Sequence, residues 1–332
     1  MTAYSLLDLV PVREGGDVSA ALAEAADLAA HAESLGYSRY WVAEHHGMPG
    51  IASAATAVVV AHVGAATRHI RVGAGGIMLP NHAPLAVAEQ FGTLDALFPG
   101  RVDLGLGRAP GSDQRVARAM RRTLDSDPNA FPQDVVELQS LFADDGRTGI
   151  QAVPGGGADV RLWILGSSTF GAQLAAMLGL PYAFASHFAP DLLDQALAIY
   201  RRDFRPSAVL DRPHAMAGFN VFAADTDDEA RYLASSTEQS FVALRTGQPG
   251  KLKPPVRDYR ASLPESGRML LEQMLSCTAI GGPDTVARGL AAFVERTQVD
   301  EVMITGAMFD PAARKRSIAI AAEAMQGLRV PA

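Results

Sequence analysis

The sequence predicts an α/β fold, a (β/α)8 TIM barrel with insertions after strands 4 and 7, and three observations carry that expectation. Eight short runs rich in Val, Ile, Leu and aromatic residues recur along the chain. Amphipathic stretches of helical length separate most of them, which is the pattern of parallel βα units. With 332 residues, 48% hydrophobic and 20% charged, the chain is long and apolar enough to bury one large core. A single barrel domain over residues 1–332 is therefore expected.

The eight predicted strands are YSLLDLVPV (4–12), SRYWVAEHH (38–46), IRVGAGGIMLP (70–80), RVDLGLGRAP (101–110), VRLWILGSS (160–168), YAFASHF (182–188), AMAGFNVFAA (215–224) and EVMITGAMF (301–309). The segment DVSAALAEAADLAAHAESLG shows how the intervals read. Its Ala/Leu spacing repeats near 3.6 residues, and Gly36 supplies a C-terminal stop. Two intervals, 111–159 and 225–300, are too long for one crossover helix and read as excursions on the rim. Loops that follow barrel strands lie on the catalytic face. The Pro/Lys-rich stretch at 245–260 is thus either a mobile lid or a surface loop without a role.

Charge and composition exclude several function classes. A formal net charge of −7 with no basic run gives nucleic acid or an anionic membrane surface little to hold. The single cysteine, Cys277, cannot form an internal disulfide, and MTAYSLLDLV lacks the basic region and cleavage site of a signal peptide. No uninterrupted apolar run approaches about 18 residues. A soluble protein of the reducing cytoplasm is expected.

Four motifs carry candidate chemistry. DLGLGRAPGSD imitates a dinucleotide fingerprint through Gly105, Gly107 and Gly111. Its third glycine is displaced, the unit comes fourth in the chain, and no acidic residue ends a following strand about 20 positions on. It reads better as a βα loop in which Gly107 lets a ligand approach the backbone and Arg108 offers a planar fork to an anion. In LGSSTFGAQLAAMLGL, Gly166 opens a turn, and Ser167 and Ser168 precede a helix whose free N–H groups suit either plain capping or a phosphate. Arg108 belongs to the same barrel face, and together these groups would hold one phosphate monoester. In GAGGIMLPNHAP, three glycines within a strand imply close packing against a neighbour or a backbone lying flat against a planar ligand. In WVAEHH, Glu44 and His46 share one face while His45 points to the other. A metal site needs a third converging ligand, and the nearest candidate, His187, stands alone, so no metal is expected. A buried structural role or acid-base chemistry by a neutral imidazole remain for these histidines.

The segments WVAEHH, GAGGIMLPNHAPLAVAEQFGTLDALFPGRVDLGLGRAPGSD, LWILGSS and LPYAFASHF resemble the bacterial luciferase-like flavin-dependent monooxygenases, in particular their single-chain branch. The resemblance runs over nearly the whole chain. It implies a (β/α)8 barrel that binds reduced FMN at its mouth, or in other branches a deazaflavin. It places the active-site histidine on His45 and the arginine that reaches the flavin phosphate on Arg108, beside Gly107. The phosphate-binding serine falls on Ser167, flanked by Gly166 and Ser168, and a non-proline cis peptide beneath the flavin ring falls on Gly75 and Gly76.

Where luciferase carries a reactive cysteine and an acidic residue, this chain has Gly107 and Gly166, so aldehyde oxidation and light emission do not transfer. The implied reaction uses reduced FMN, supplied by a separate NAD(P)H-dependent flavin reductase, and dioxygen to oxygenate a small organic substrate. A deazaflavin-dependent dehydrogenase and a non-catalytic flavin-binding protein are the rival readings. Asp8 or Leu7, Trp41 and Met78 are expected to face that small-molecule substrate. Alanine-rich helices near 52–66 and 84–97 are expected to join two chains in a homodimer, as the family commonly does.

Overall fold

The computed structural model describes residues 2–108, 116, 119–120 and 130–328. Nine parallel strands make one sheet: β1 (Ala3–Asp8), β2 (Arg39–Val42), β3 (Arg71–Met78), β4 (Val102–Gly107), β5 (Arg161–Gly166), β6 (Tyr182–Phe184), β7 (Ala215–Ala223), β8 (Thr278–Gly281) and β9 (Glu301–Thr305). Strands β1 to β7 pair in sequence order, β7 pairs with β9, and β9 returns to β1 through Ser5↔Met303. The barrel therefore closes with eight strands.

The ninth strand is a departure from the sequence expectation. β8 lies inside the interval 225–300 and pairs only with the C-terminal half of β7, from Asn220↔Thr278 to Ala223↔Gly281. At nine residues β7 outlasts its barrel neighbour β6, which pairs with it only at Ala215 to Ala217. The four-residue TAIG covers the edge that is left over. The predicted eighth run, 301–309, thus supplies the ninth strand of the chain and the eighth of the barrel. Strand ends are also shorter than predicted: β2 stops at Val42, so Glu44, His45 and His46 lie in the loop beyond it. The predicted run 101–110 extends past the described residues, as does Gly111.

Helices α1 (Val18–Ser34), α2 (Thr56–Ala65), α3 (Pro84–Leu97), α4 (Phe131–Ala143), α5 (Thr169–Leu178), α6 (Leu193–Asp203), α7 (Asp227–Arg245), α8 (Tyr259–Ser262), α9 (Glu265–Met274), α10 (Pro283–Thr297) and α11 (Pro311–Gly327) surround the sheet. Local chemistry sets their limits. Asp17 caps α1 by accepting a hydrogen bond from the Ala20 N–H at 2.8 Å, and Gly36 follows its end at φ +81°. α1 buries Ala21, Ala25, Leu28, Ala29 and Ala32, the face that its alanine spacing predicts. None of the described helices is long and apolar enough to cross a membrane.

Period-two alternation divides the strand side chains between two layers. Outward residues such as Val72, Leu104 and Ile164 pack with helix residues such as Val60, Phe91 and Ala172. Leu7, Trp41, Ala43, Trp163, Ala183, Met216 and Met303 fill the barrel interior, where Trp41 and Trp163 meet edge to face at 5.3 Å. Below them, at the N-terminal end, lies an ionic floor. The Arg39 guanidinium donates to Glu301 at 2.9 and 3.0 Å and to Asp103 at 2.9 Å, Arg71 donates to the other Asp103 oxygen at 2.8 Å, and the Trp41 indole N–H reaches Asp103 at 3.1 Å. Burial alone would make Arg39 easier to deprotonate, but Asp103 and Glu301 hold it above the usual arginine value. The charges are paired at every side, so the bottom of the barrel is plugged.

The segment 245–260 is neither loose nor structureless. The Leu252 N–H donates to the Val12 carbonyl at 2.9 Å, and the Glu14 N–H donates to the Leu252 carbonyl at 2.8 Å. Val256 N–H donates to Ser235 Oγ at 2.7 Å. The strap thus crosses from α7 to the loop after β1, and Gly250 passes so near Gly50 that a Cβ on Gly50 would lie 2.1 Å from the Gly250 carbonyl oxygen.

Candidate active site

The C-terminal ends of β2 to β7 gather the polar groups that the sequence singles out. His45 lies in the loop just beyond β2, near enough to His187 of the loop after β6 for its charge to act there. Its Nδ1 is buried and has no hydrogen-bond partner among the described residues. Burial pushes its pKa below the usual histidine value; Glu44 opposes that shift and His46 reinforces it. An imidazole held towards its neutral form, with one buried ring nitrogen unpartnered among the described residues, thus stands at the C-terminal end of the barrel.

Sequence reasoning treated His187 as isolated, and the structure places it in the same mouth. Its Nδ1 is also buried, without a partner among the described residues, and it lies against the inner face of β7, where a Cβ on Gly218 would come within 2.1 Å of that nitrogen. Burial pushes its pKa down to about 4, and the charge of His45 adds to the effect. The Asn220 amide donates to the His187 carbonyl at 2.8 Å and to Thr278 Oγ1 at 3.1 Å, so the extra strand β8 helps to fix this loop. The available signal was position. His187 follows β6 as the histidine pair follows β2, and a glycine interrupts the apolar run of β7.

Gly75 and Gly76 are joined by a cis peptide, at the position that the resemblance implied. Both glycines are close-packed: a Cβ on Gly75 would meet the Trp41 ring at 2.7 Å, and one on Gly76 would meet the Gly105 carbonyl oxygen at 2.5 Å. Trp41 accordingly lies beneath the β3 backbone as part of the pocket floor, buried and tied to Asp103. Met78 is half-buried, and its sulfur would stand 2.9 Å from a Cβ on Gly107. The absence of a side chain at Gly107 makes room for it.

Asp8 is a correction. Leu7 belongs to the interior cluster, so Asp8 points outward. It is fully buried, accepts hydrogen bonds from Arg314 of α11 at 2.6 Å, from the Tyr40 hydroxyl at 2.5 Å and from the Val10 N–H at 2.9 Å, and cannot face a ligand in the barrel. Of the alternatives Leu7 and Asp8, Leu7 has the inward place.

On the other side of the mouth, Arg108 follows β4 and its guanidinium lies over the Phe170 ring at 4.1 Å. Phe170 belongs to the first turn of α5, so the cation stands beside that helix's N-terminus. Ser168 is the N-cap residue, yet its hydroxyl makes no capping bond; Gly166 and Ser167 precede it. Arg108 is exposed and forms no ion pair with the described residues. A guanidinium without an ion pair among the described residues, a serine hydroxyl that makes no capping bond and the N–H groups at the α5 N-terminus form a donor set matched to a phosphate monoester. The residues present thus fit the phosphate end of FMN.

A third group sits just outside this mouth. Both His46 Nε2 and His82 Nε2 approach Glu44 Oε1, at 2.7 and 2.9 Å, while Glu44 Oε2 accepts the Met78 N–H at 2.9 Å. Burial alone would raise the Glu44 pKa; the hydrogen bonds from His82, the Met78 N–H and His46 bring it below the usual carboxylate value. The third partner missing from the sequence pattern is His82, 36 residues further along the chain, rather than His187.

An eight-stranded parallel barrel with polar groups gathered at its C-terminal mouth has them where barrel enzymes place their active sites. Comparison with known proteins makes that class specific. The chain belongs to the luciferase-like monooxygenase family, whose sequence profile matches residues 4–301. It is 49% identical over 327 residues to a luciferase-like monooxygenase of Escherichia coli strain K12, covering 98% of each chain. The crystal structure of apo-MsnO8 is similar over 98% of this chain and 99% of that one, at 30% identity and a TM-score of 0.87. The oxygenating constituent of 3,6-diketocamphane monooxygenase in complex with FMN shares the fold at 18% identity and a TM-score of 0.71, covering 99% of each chain. Family membership makes this protein an oxidoreductase.

Proposed function

We propose that this chain is a flavin-dependent monooxygenase that uses reduced FMN and dioxygen to oxygenate a small organic substrate. The observation that carries the reading is the Arg108 guanidinium over Phe170 at the α5 N-terminus, on the same barrel end as two imidazoles whose Nδ1 atoms are unpartnered among the described residues. Arg108, Ser167 and Ser168 would hold the phosphate, with Gly166 leaving room beside it and Gly107 leaving room for Met78 at its edge. The Gly75–Gly76 backbone, supported from below by Trp41 and Leu7, would form the floor under the ring system. When bound, reduced flavin supplies the electrons that activate dioxygen, and a separate NAD(P)H-dependent reductase would deliver it in that form.

The chain's own residues then have defined tasks. The apolar interior and plugged floor exclude water from below. His45, neutral near pH 7 and open at Nδ1, accepts or returns a proton at that atom. Met78 and His187 shape the space above the β3 backbone for substrate.

An anaerobic titration with reduced FMN, riboflavin and deazaflavin tests the reading. FMN should bind most tightly, and Arg108→Ala should weaken FMN by about 1.5–3 kcal/mol, the size of a charge-assisted hydrogen bond, while leaving riboflavin nearly unchanged. Equal losses for both flavins would remove Arg108 from the phosphate site. Tight deazaflavin binding with hydride transfer and no incorporation of labelled dioxygen would replace the monooxygenase with a dehydrogenase.

A further inference from the structure

We infer that Glu44, His46 and His82 form a binding site for a divalent transition-metal ion, with zinc the best match. The inference is independent of the flavin reading. The three ligand atoms, Glu44 Oε1 and the two Nε2 atoms, lie within 4.8 Å of one another. Two imidazoles aimed at the same carboxylate oxygen, rather than one at each, bring the donors to a single point. The set is two nitrogens and one oxygen, which suits zinc and its neighbours in the first transition row and disfavours magnesium and calcium.

The distances are close to those that a metal requires. Bonds of about 2.0–2.1 Å in a tetrahedral site put neighbouring ligand atoms about 3.3 Å apart. The two separations to Glu44, 2.7 and 2.9 Å, therefore need to open by about half an ångström, while the two Nε2 atoms, no more than 4.8 Å apart, are brought to bonding distance by rotation of their partly exposed rings. The parts that must move are able to. His46 and His82 keep side-chain exposures of 15% and 25%, so both rings reach solvent, whereas Glu44 is 1% exposed and its second oxygen is held by the Met78 N–H. The fixed carboxylate serves as the anchor, and its backbone bond orients it as outer-shell partners orient metal ligands. An imidazole with its N–H on Nδ1 presents the Nε2 lone pair to the metal. Three protein ligands leave the fourth position to water.

Occupancy would have a structural effect at a specified place. Glu44 and His46 flank His45 in the loop after β2, and His82 follows β3, so the ion would tie the two loops together and hold the His45 backbone between its ligands. Bound metal should stabilise the fold by mass action.

The test uses chelator-treated full-length protein and zinc alone, read by competition with a chromophoric chelator and by thermal melting. Expected are one zinc per chain, a higher melting temperature, and a visible spectrum of four- or five-coordinate cobalt when that ion replaces zinc. His82→Asn and His46→Asn, each able to keep a hydrogen bond to Glu44, should each weaken zinc about a hundredfold or more and abolish the melting shift, since loss of a direct ligand exceeds the roughly 10–100-fold cost of losing an outer-shell partner. His62→Asn, an exposed histidine on α2 that bonds to the Leu22 carbonyl, should leave binding unchanged. Failure of the wild-type chain to bind zinc in a saturable 1:1 manner would overturn the site. Undiminished affinity in either folded ligand variant would do the same.

Discussion

At the residue scale, direction decides role. His45 and His46 are adjacent in sequence, yet one ring enters the barrel mouth and the other turns to Glu44. His45→Asn should preserve folding and FMN affinity, because the amide retains volume and hydrogen-bonding capacity, while turnover falls on the order of a hundredfold and consumed oxygen appears as hydrogen peroxide. Single-turnover mixing of the reduced-flavin complex with oxygen and substrate checks this; wild-type product yield in the variant would return His45 to packing. Asp8 offers the opposite case. It holds a buried cation, Arg314, and has no place in the pocket. Asp8→Ala should cost about 3–5 kcal/mol in denaturant unfolding by stranding that charge, with turnover per folded molecule retained. The sequence made the alternation around His45 legible because local period fixes which neighbours share a face. It left Asp8 and Leu7 undecided, because choosing between them requires knowing which side of β1 meets α11.

At the scale of elements, apolar runs marked every barrel strand, since a parallel sheet covered on one face by helices and on the other by the barrel interior needs side chains apolar on both. β8 escaped because TAIG is short, follows a helix-rich interval and pairs with only four residues of β7. The convergence of His82 on Glu44 escaped for a related reason: it depends on how two loops meet across neighbouring strands, which no linear spacing encodes. The strap over 245–260 shows how a flexible-looking composition becomes fixed by two glycines in contact. Gly50→Ala should force Gly250 away and cost about 1–3 kcal/mol, as overpacked contacts do. Faster cleavage by protease between 247 and 255 should accompany the loss; unchanged protection would show that the strap is held elsewhere.

At the scale of the whole molecule, the outer surface bears on assembly and the inner one on traffic. α2 exposes Val58 at 70% and α3 ends on Leu97 at 59%, apolar side chains on the two helices predicted to join a pair of chains. The wild-type chain should sediment as a dimer at micromolar concentration, and Val58→Asp should shift it to monomer without unfolding it; a monomeric wild-type mass would reject this interface. Inside, the Arg39–Asp103–Glu301 floor and the packed Trp41, Trp163, Met216 and Met303 above it fill the N-terminal part of the barrel, which leaves the C-terminal end for ligands. Were two ligands to share that end, the one seated deeper would have to arrive first and leave last, an order set by the packed base and not by any residue at the rim.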